Sequence, residues 1–213
     1  MSARDLSILA QALIERFPAN YEIYSVPEFT YNGIRQPNRN TLLFQDRNVD
    51  GMKTGFTEAA GYCLVASATR DGMRLIAVVM GTNSINSRAI EAQKLLTYGF
   101  RFYETYELFT GNEVLSSSEV WSGKSNSVDI GVQEQVFITI PNNSGDELLT
   151  ELQIDESLRA PINAGDILGQ VTVSFDDQVY FQGEVIALQT IERGNLIKRI
   201  MDWLTLFFMG LFS

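Results

Sequence analysis

The sequence predicts an α+β chain in three parts: an antiparallel sheet flanked by helices, a small all-β sandwich, and a C-terminal amphipathic helix. Three observations carry this. Helix-period segments bracket two long apolar runs within roughly the first hundred residues. From about residue 105 to 188 that signal gives way to short strands alternating with turns. After Asn195 helical spacing returns, now with aromatic side chains over much of the surface. These changes of pattern place domain boundaries at 1–105, 106–190 and 191–213.

The elements follow in order. Residues 2–17 read as a helix, with Leu6, Leu9, Ala10, Leu13, Ile14 and Phe17 on one face. Ser2 is its N-cap, Asp5 stands three residues on, and Pro18 ends it. Glu28 to Gln36 reads as a hairpin, because Asn32-Gly33 suits the two positive φ angles of a tight turn. Gly51–Phe56 is a short extended segment. Tyr62–Thr69 and Met73–Met80 are apolar strands joined by Arg70-Asp71-Gly72, and their near-continuous apolar character implies cover on both faces. Asn86–Tyr98 reads as a second helix, with Ile90, Leu95 and Leu96 inward and Gly99 as its stop. In the all-β region Val136–Ile140 is a strand, Gln170–Phe175 alternates as a half-buried strand, and Asp176-Asp177-Gln178 turns it into Val179–Ile186.

Composition excludes several chemistries. The chain has 213 residues, a net charge of −10 and no histidine. Ser-His-Asp catalysis and H-E-x-x-H zinc sites are therefore out. A single cysteine, Cys63, allows no internal disulfide and no cysteine-based zinc site, and its neighbours Tyr62, Leu64 and Val65 suggest a small buried hydrophobe. No basic footprint for nucleic acid is present. Neither a metal nor a cofactor is expected.

One short motif carries chemistry. Lys53-Thr54-Gly55 lies within Asn48-Val-Asp-Gly-Met-Lys-Thr-Gly-Phe-Thr57. Chance alone would supply such a triplet in about one chain in twenty of this length at average residue usage. Its setting gives it weight: an extended segment followed directly by a two-stranded hairpin. An edge strand there can pair its backbone with an extended peptide. The lysine brings a fixed positive charge, the threonine a hydroxyl donor for a carboxylate, and the glycine room for close approach. A following N–H can face a developing oxyanion.

The stretches Phe29–Gln36, Asn38-Arg-Asn40, Val49–Gly55, Gly61–Ala68, Arg74–Gly81, Ser87–Ala92 and Lys94–Phe102 together resemble the low-molecular-mass penicillin-binding proteins. More narrowly, they are similar to serine-type D-alanyl-D-alanine carboxypeptidases, which trim peptidoglycan pentapeptides. The resemblance runs on through the β region and the tail. It implies that residues 1–105 are the C-terminal part of a β-lactamase/transpeptidase-like domain. It also implies that Lys53, Thr54 and Gly55 form the substrate-binding strand and that the Phe56 N–H is half of an oxyanion hole. Arg88 matches a family arginine favouring the substrate's terminal carboxylate, and Arg39 matches another close to the same strand. The implied partners are the peptidoglycan peptide and β-lactams.

Two departures stand out. Phe56 occupies a place where relatives often have histidine. The 52 residues before Lys53 contain no S-x-x-K, the motif that supplies nucleophile and base beside K-T-G and S-D-N. Ser84-Ile-Asn86 spells S-x-N but follows K-T-G and reads as a helix cap. The expectation is a C-terminal portion of the enzyme, with nucleophile and base absent and no activity of its own. Sheet edges and helix faces meant for the other half would then be exposed. The alternative is a non-catalytic, membrane-tethered interaction module built on the β domain.

The tail completes the reading. Lys198, Arg199, Asp202 and Thr205 fall on one side of a helix, and Trp203, Phe207, Phe208 and their apolar neighbours cover the rest. The uncharged run Trp203–Phe212 has ten residues, where a spanning helix needs about 20. Lys198, Arg199, Trp203, Phe207 and Phe208 therefore suggest a helix lying in the membrane interface. Packing of this helix on its own domain is the competing reading. With the resemblance, the expected location is peripheral, on the periplasmic face of the bacterial inner membrane.

Overall fold

The computed structural model describes residues 1–155 and 157–212, with the side chains of 208–212 outside the description. It falls into two units, Met1–Glu104 and Thr105–Ser213.

The first unit begins with α1 (Ala3–Arg16), closed by a capping box in which Ser2 accepts from the Asp5 N–H and Asp5 accepts from the Ser2 N–H. Pro18 starts a one-turn helix, α2 (Pro18–Tyr21). The hairpin of β1 (Glu28–Tyr31) and β2 (Ile34–Pro37) turns on Asn32 and Gly33 at φ 49° and 76°. Then come β3 (Val49–Thr57), β4 (Gly61–Arg70) and β5 (Met73–Thr82), an antiparallel sheet in that spatial order. Asp71 and Gly72, with φ 49° and 83°, make the β4–β5 turn. Both β3 and β5 are sheet edges.

Helix α3 (Ile85–Phe102) is capped by Ser84, whose Oγ accepts from the Ser87 N–H at 3.0 Å. Leu64, Ala66, Ala68, Ala77 and Val79 pack with Ala89, Ala92 and Leu96 of α3. The opposite face puts Val65 and Ile76 against Ala10, Leu13 and Ile14 of α1. Burial on both faces explains why the strands read as continuous apolar runs.

Three helix expectations are corrected. Helix α3 continues through Gly99 for three more residues. A Cβ there would fall 2.4 Å from Leu75 Cδ1, so Gly99 permits close helix–strand approach rather than ending the helix. Ile90 and Leu95 are 47% and 50% exposed, and small Ala89 and Ala92 take the inward positions with Leu96. In α1, Leu9 and Phe17 likewise face outward, at 58% and 54% exposure.

The second unit holds β6 (Tyr103–Phe109), β7 (Val114–Trp121), β8 (Ser127–Gly131), β9 (Val136–Pro141), β10 (Leu149–Ile154), β11 (Leu158–Arg159), β12 (Ile167–Phe175) and β13 (Gln178–Ala187). Six strands form one sheet in the order β10-β12-β13-β8-β7-β11, and β6 pairs with β9. Within the six-stranded sheet the pairings are antiparallel except β11 with β7, which is parallel. Val128, Ile130, Val171, Val173 and Val185 meet Phe109 and Val136 from the smaller sheet in one core, a sandwich arrangement. Helix α4 (Leu196–Phe212) closes the unit, with Asn195 Oδ1 accepting from the Lys198 N–H at 2.9 Å.

Adjacent residues of α3 test this packing. Leu96→Ala removes a side chain only 1% exposed and is expected to cost roughly 2–5 kcal/mol. Leu95→Ala is expected to cost about 0.5 kcal/mol or less. Denaturant unfolding of the two variants measures the difference.

Candidate active site

The K-T-G residues stand on β3, whose single partner in the sheet is β4. The register sets Lys53 opposite Val65, Thr54 opposite Leu64, Gly55 opposite Cys63 and Phe56 opposite Tyr62. Side chains alternate along a strand, so Lys53 and Gly55 share the face of Val65 and Cys63, and Thr54 and Phe56 that of Leu64 and Tyr62. Lys53 and Gly55 are exposed, and Thr54 is buried at 8% exposure. Lys53 Nζ donates to the Thr54 carbonyl at 2.9 Å. A Cβ on Gly55 would meet Cys63 Cβ at an ordinary 3.8 Å. Packing inside the unit therefore does not demand glycine there. The Phe56 ring, 55% exposed, lies against Tyr62 with centroids 4.4 Å apart.

Arg88 comes from the first turn of α3 and reaches the far end of this strand. It is 5% exposed. Its Nη1 donates to the carbonyls of Gly55 and Cys63 at 3.3 and 3.4 Å, and its Nη2 to the Arg39 carbonyl at 3.4 Å. Its guanidinium also sits 5.7 Å above the Tyr62 ring. Burial pushes its pKa below the ordinary value, and the Arg39 charge acts in the same direction against the opposing influence of Tyr62 and Cys63. An arginine stays protonated even so. A buried positive charge is thus held directly at the carbonyl of the motif's glycine. Arg39 enters this arrangement through its main chain, while its side chain is exposed.

The start of β3 is fixed by residues that sequence reasoning missed. Asn40, 1% exposed, accepts from the Leu42 N–H and donates to the Gly51 carbonyl at 3.0 Å. Tyr21 donates to Asp50 Oδ1 at 2.9 Å, and Arg74 pairs with Asp50 at 2.7 Å and donates to Ser67 Oγ at 2.7 Å. A Cβ on Gly51 would fall 2.5 Å from the Tyr21 hydroxyl oxygen. The Asn40 cap was readable beside Thr41-Leu42. The Tyr21–Asp50–Arg74 set joins residues 24 and 29 positions apart and leaves no local signature.

Comparison with known proteins decides the lineage. Residues 1–84 match the family described as D-alanyl-D-alanine carboxypeptidase, and residues 103–193 match the penicillin-binding protein 5, C-terminal domain. By these two matches the chain is similar, along most of its length, to the low-molecular-mass penicillin-binding proteins. D-alanyl-D-alanine carboxypeptidase DacA of Escherichia coli is 43% identical over 209 residues, which cover 97% of this chain and 52% of that protein. DacA of Haemophilus influenzae is 40% identical over 215 residues, covering 100% and 55%. The crystal structure of penicillin-binding protein 5 from Haemophilus influenzae superposes with a TM-score of 0.80 at 40% identity, over 90% of this chain and 57% of that one. The α+β architecture expected from the sequence is that of these penicillin-binding proteins. The chain spans about half the length of the curated relatives it matches.

Tyr21 gives the chain an alkaline signature. Burial pushes its hydroxyl up to about 12, with Ser67 and Arg74 opposing and Asp50 reinforcing. Folded protein then keeps a proton that the unfolded chain loses near pH 10. The stabilisation is whole below pH 10 and is lost as pH rises through about 12. Thermal melts across that window should show a step that Tyr21→Phe flattens. An unchanged slope in Tyr21→Phe would assign the loss to other groups.

Proposed function

We propose that this chain is the substrate-binding part of a serine-type D-alanyl-D-alanine carboxypeptidase. The whole enzyme would remove the terminal D-alanine from peptidoglycan pentapeptides, and β-lactams would occupy the same wall. One observation carries the reading: K-T-G lies on an edge strand with Lys53 and Gly55 exposed and a buried guanidinium at the Gly55 carbonyl. An extended peptide pairs along the open edge of β3. Gly55 admits its backbone, and Arg88 with Arg39 draws its terminal carboxylate electrostatically. Lys53 favours negative charge growing at the scissile carbonyl, and the Phe56 N–H donates to the oxyanion.

The attacking group must be a serine hydroxyl whose proton passes to a neighbouring base, giving an acyl-enzyme and free D-alanine, after which water releases the shortened peptide. These 213 residues contain no S-x-x-K. In their S-x-N, Ser84–Asn86, the serine caps α3 and the asparagine lies inside that helix. The chain by itself therefore forms no acyl-enzyme. Incubation with a labelled penicillin should give no covalent band, and a band that survives denaturation would sink this reading.

The tail supports a peripheral place on the periplasmic face of the bacterial inner membrane. Among the described residues no helix is long and apolar enough to cross a membrane. In α4 the charged side turns to its own unit: Asp202 accepts from the Ser122 N–H at 2.7 Å and pairs with Lys198 at 3.2 Å. Leu196, Ile197, Met201, Trp203 and Phe207 are left 53–72% exposed, and Trp203 stacks on Phe207 with centroids 5.7 Å apart. The side chain of Phe208 lies outside the described residues. An apolar face turned outward suits an interfacial helix. Deleting Asn195–Ser213 should abolish flotation with vesicles of mixed zwitterionic and anionic lipid, and undiminished flotation would end the anchor reading.

A further inference from the structure

The first turns of α4 and the turn after β7 enclose a cleft of about 320 Å³ lined by Ser122, Leu196, Arg199, Ile200 and Trp203. Main-chain bonds frame it. Gly194 N donates to the Ser122 carbonyl at 2.8 Å, and Gly123 forms an isolated bridge with Arg193. Asp202 ties the helix to the same turn through the Ser122 N–H. The cleft is thus built by two separate segments held in register.

The charges around it sort into pairs and a remainder. Lys124 pairs with Glu192, and Lys198 with Asp202. Arg193 and Arg199 are exposed and have no acidic partner among the described residues. A chain of net charge −10 therefore carries two uncommitted guanidiniums at the foot of its aromatic helix. Arg199 lines the cleft together with apolar Leu196 and Ile200 and the aromatic Trp203. A cation beside aromatic and aliphatic surface is the combination that the phosphate, glycerol region and acyl chain of a lipid call for.

We propose that this cleft seats the phosphodiester of an anionic phospholipid. The proposal rests on the interfacial reading of α4 and adds a lipid class to it. The Arg199 guanidinium donates in a fork to two phosphate oxygens, Trp203 lies at headgroup level, and Leu196 and Ile200 cover the first acyl carbons. Arg193 adds to the field. A zwitterionic headgroup brings its own cation to the phosphate and satisfies it without the protein, so the cleft favours headgroups of net negative charge.

The test is flotation of the full chain with vesicles of phosphatidylcholine alone or with phosphatidylglycerol added, at fixed ionic strength. The expected result is tighter partitioning onto the anionic vesicles, by tenfold or more at about two basic residues near the surface. Arg199→Gln should lose about fivefold of it. Arg199→Lys should lose a smaller part, because an ammonium keeps the charge but not the fork. Arg4→Gln, in α1, should change nothing. Equal partitioning onto both vesicle types, or full selectivity in Arg199→Lys, would overturn the seat while leaving the anchor intact. Release by inorganic phosphate exchanged for chloride at constant ionic strength would assign the cleft to a free anion and overturn the lipid. Failure to float with either vesicle would remove the anchor and the seat together.

Discussion

Everything around the K-T-G segment follows from one constraint: β3 must keep one edge open and still be rigid. A strand inside a sheet is held by ladders on both sides, and an edge strand has one ladder and a row of unsatisfied groups. Here the missing support is replaced from behind and from the ends. Asn40 binds the Gly51 carbonyl, Tyr21 packs where a Cβ at Gly51 would stand, and Arg88 gathers the carbonyls of Gly55, Cys63 and Arg39. The side chains that fix the strand thus contact its main chain or its closed side. Lys53 and Gly55 remain exposed.

Burying Arg88 is the costly part of this design. A guanidinium removed from water without a carboxylate is stabilised only by the dipoles it collects, and these bonds of 3.3–3.4 Å are long. The charge is consequently under-neutralised, and the Tyr62 face adds a modest cation–π contribution. A positive potential only partly quenched, next to a motif carbonyl, is what an anionic ligand terminus would sense. A surface ion pair, the bland reading of an arginine, would instead have neutralised the charge in solvent.

The sequence made local geometry legible and long-range substitution illegible. Turns at Asn32-Gly33 and Asp71-Gly72, the Ser2 and Ser84 caps and the edge-strand setting of Lys53 all depend on neighbours in the chain, so pattern reading found them. The inward face of α3 did not follow hydrophobicity: the sheet approaches too closely at Ala89, Ala92 and Gly99 to admit Ile90 or Leu95. Gly99 shows the ambiguity directly, since a glycine near a helix end signals a stop or a close contact with equal force, and only Leu75 across the gap distinguishes them. The Tyr21–Asp50–Arg74 set was invisible for the complementary reason, because its members meet only after the sheet has formed.

The tail inverts the usual logic of an amphipathic helix, and that inversion is informative. A helix docked on its own domain hides its apolar stripe and wets its charges. In α4 the described side chains do the reverse: Asp202 and Lys198 turn toward the Ser122 turn while Trp203 and Phe207 are exposed. Pairing Lys198 with Asp202 also silences the helix's internal charge, so that Arg199 is left as its one uncompensated cation among the described side chains. A polar latch costs little in stability because it gains little burial, and it holds the helix by one edge. The apolar surface is then displayed at a fixed orientation rather than spent on the core. An apolar face displayed in this way is what the interfacial placement proposed for the tail requires.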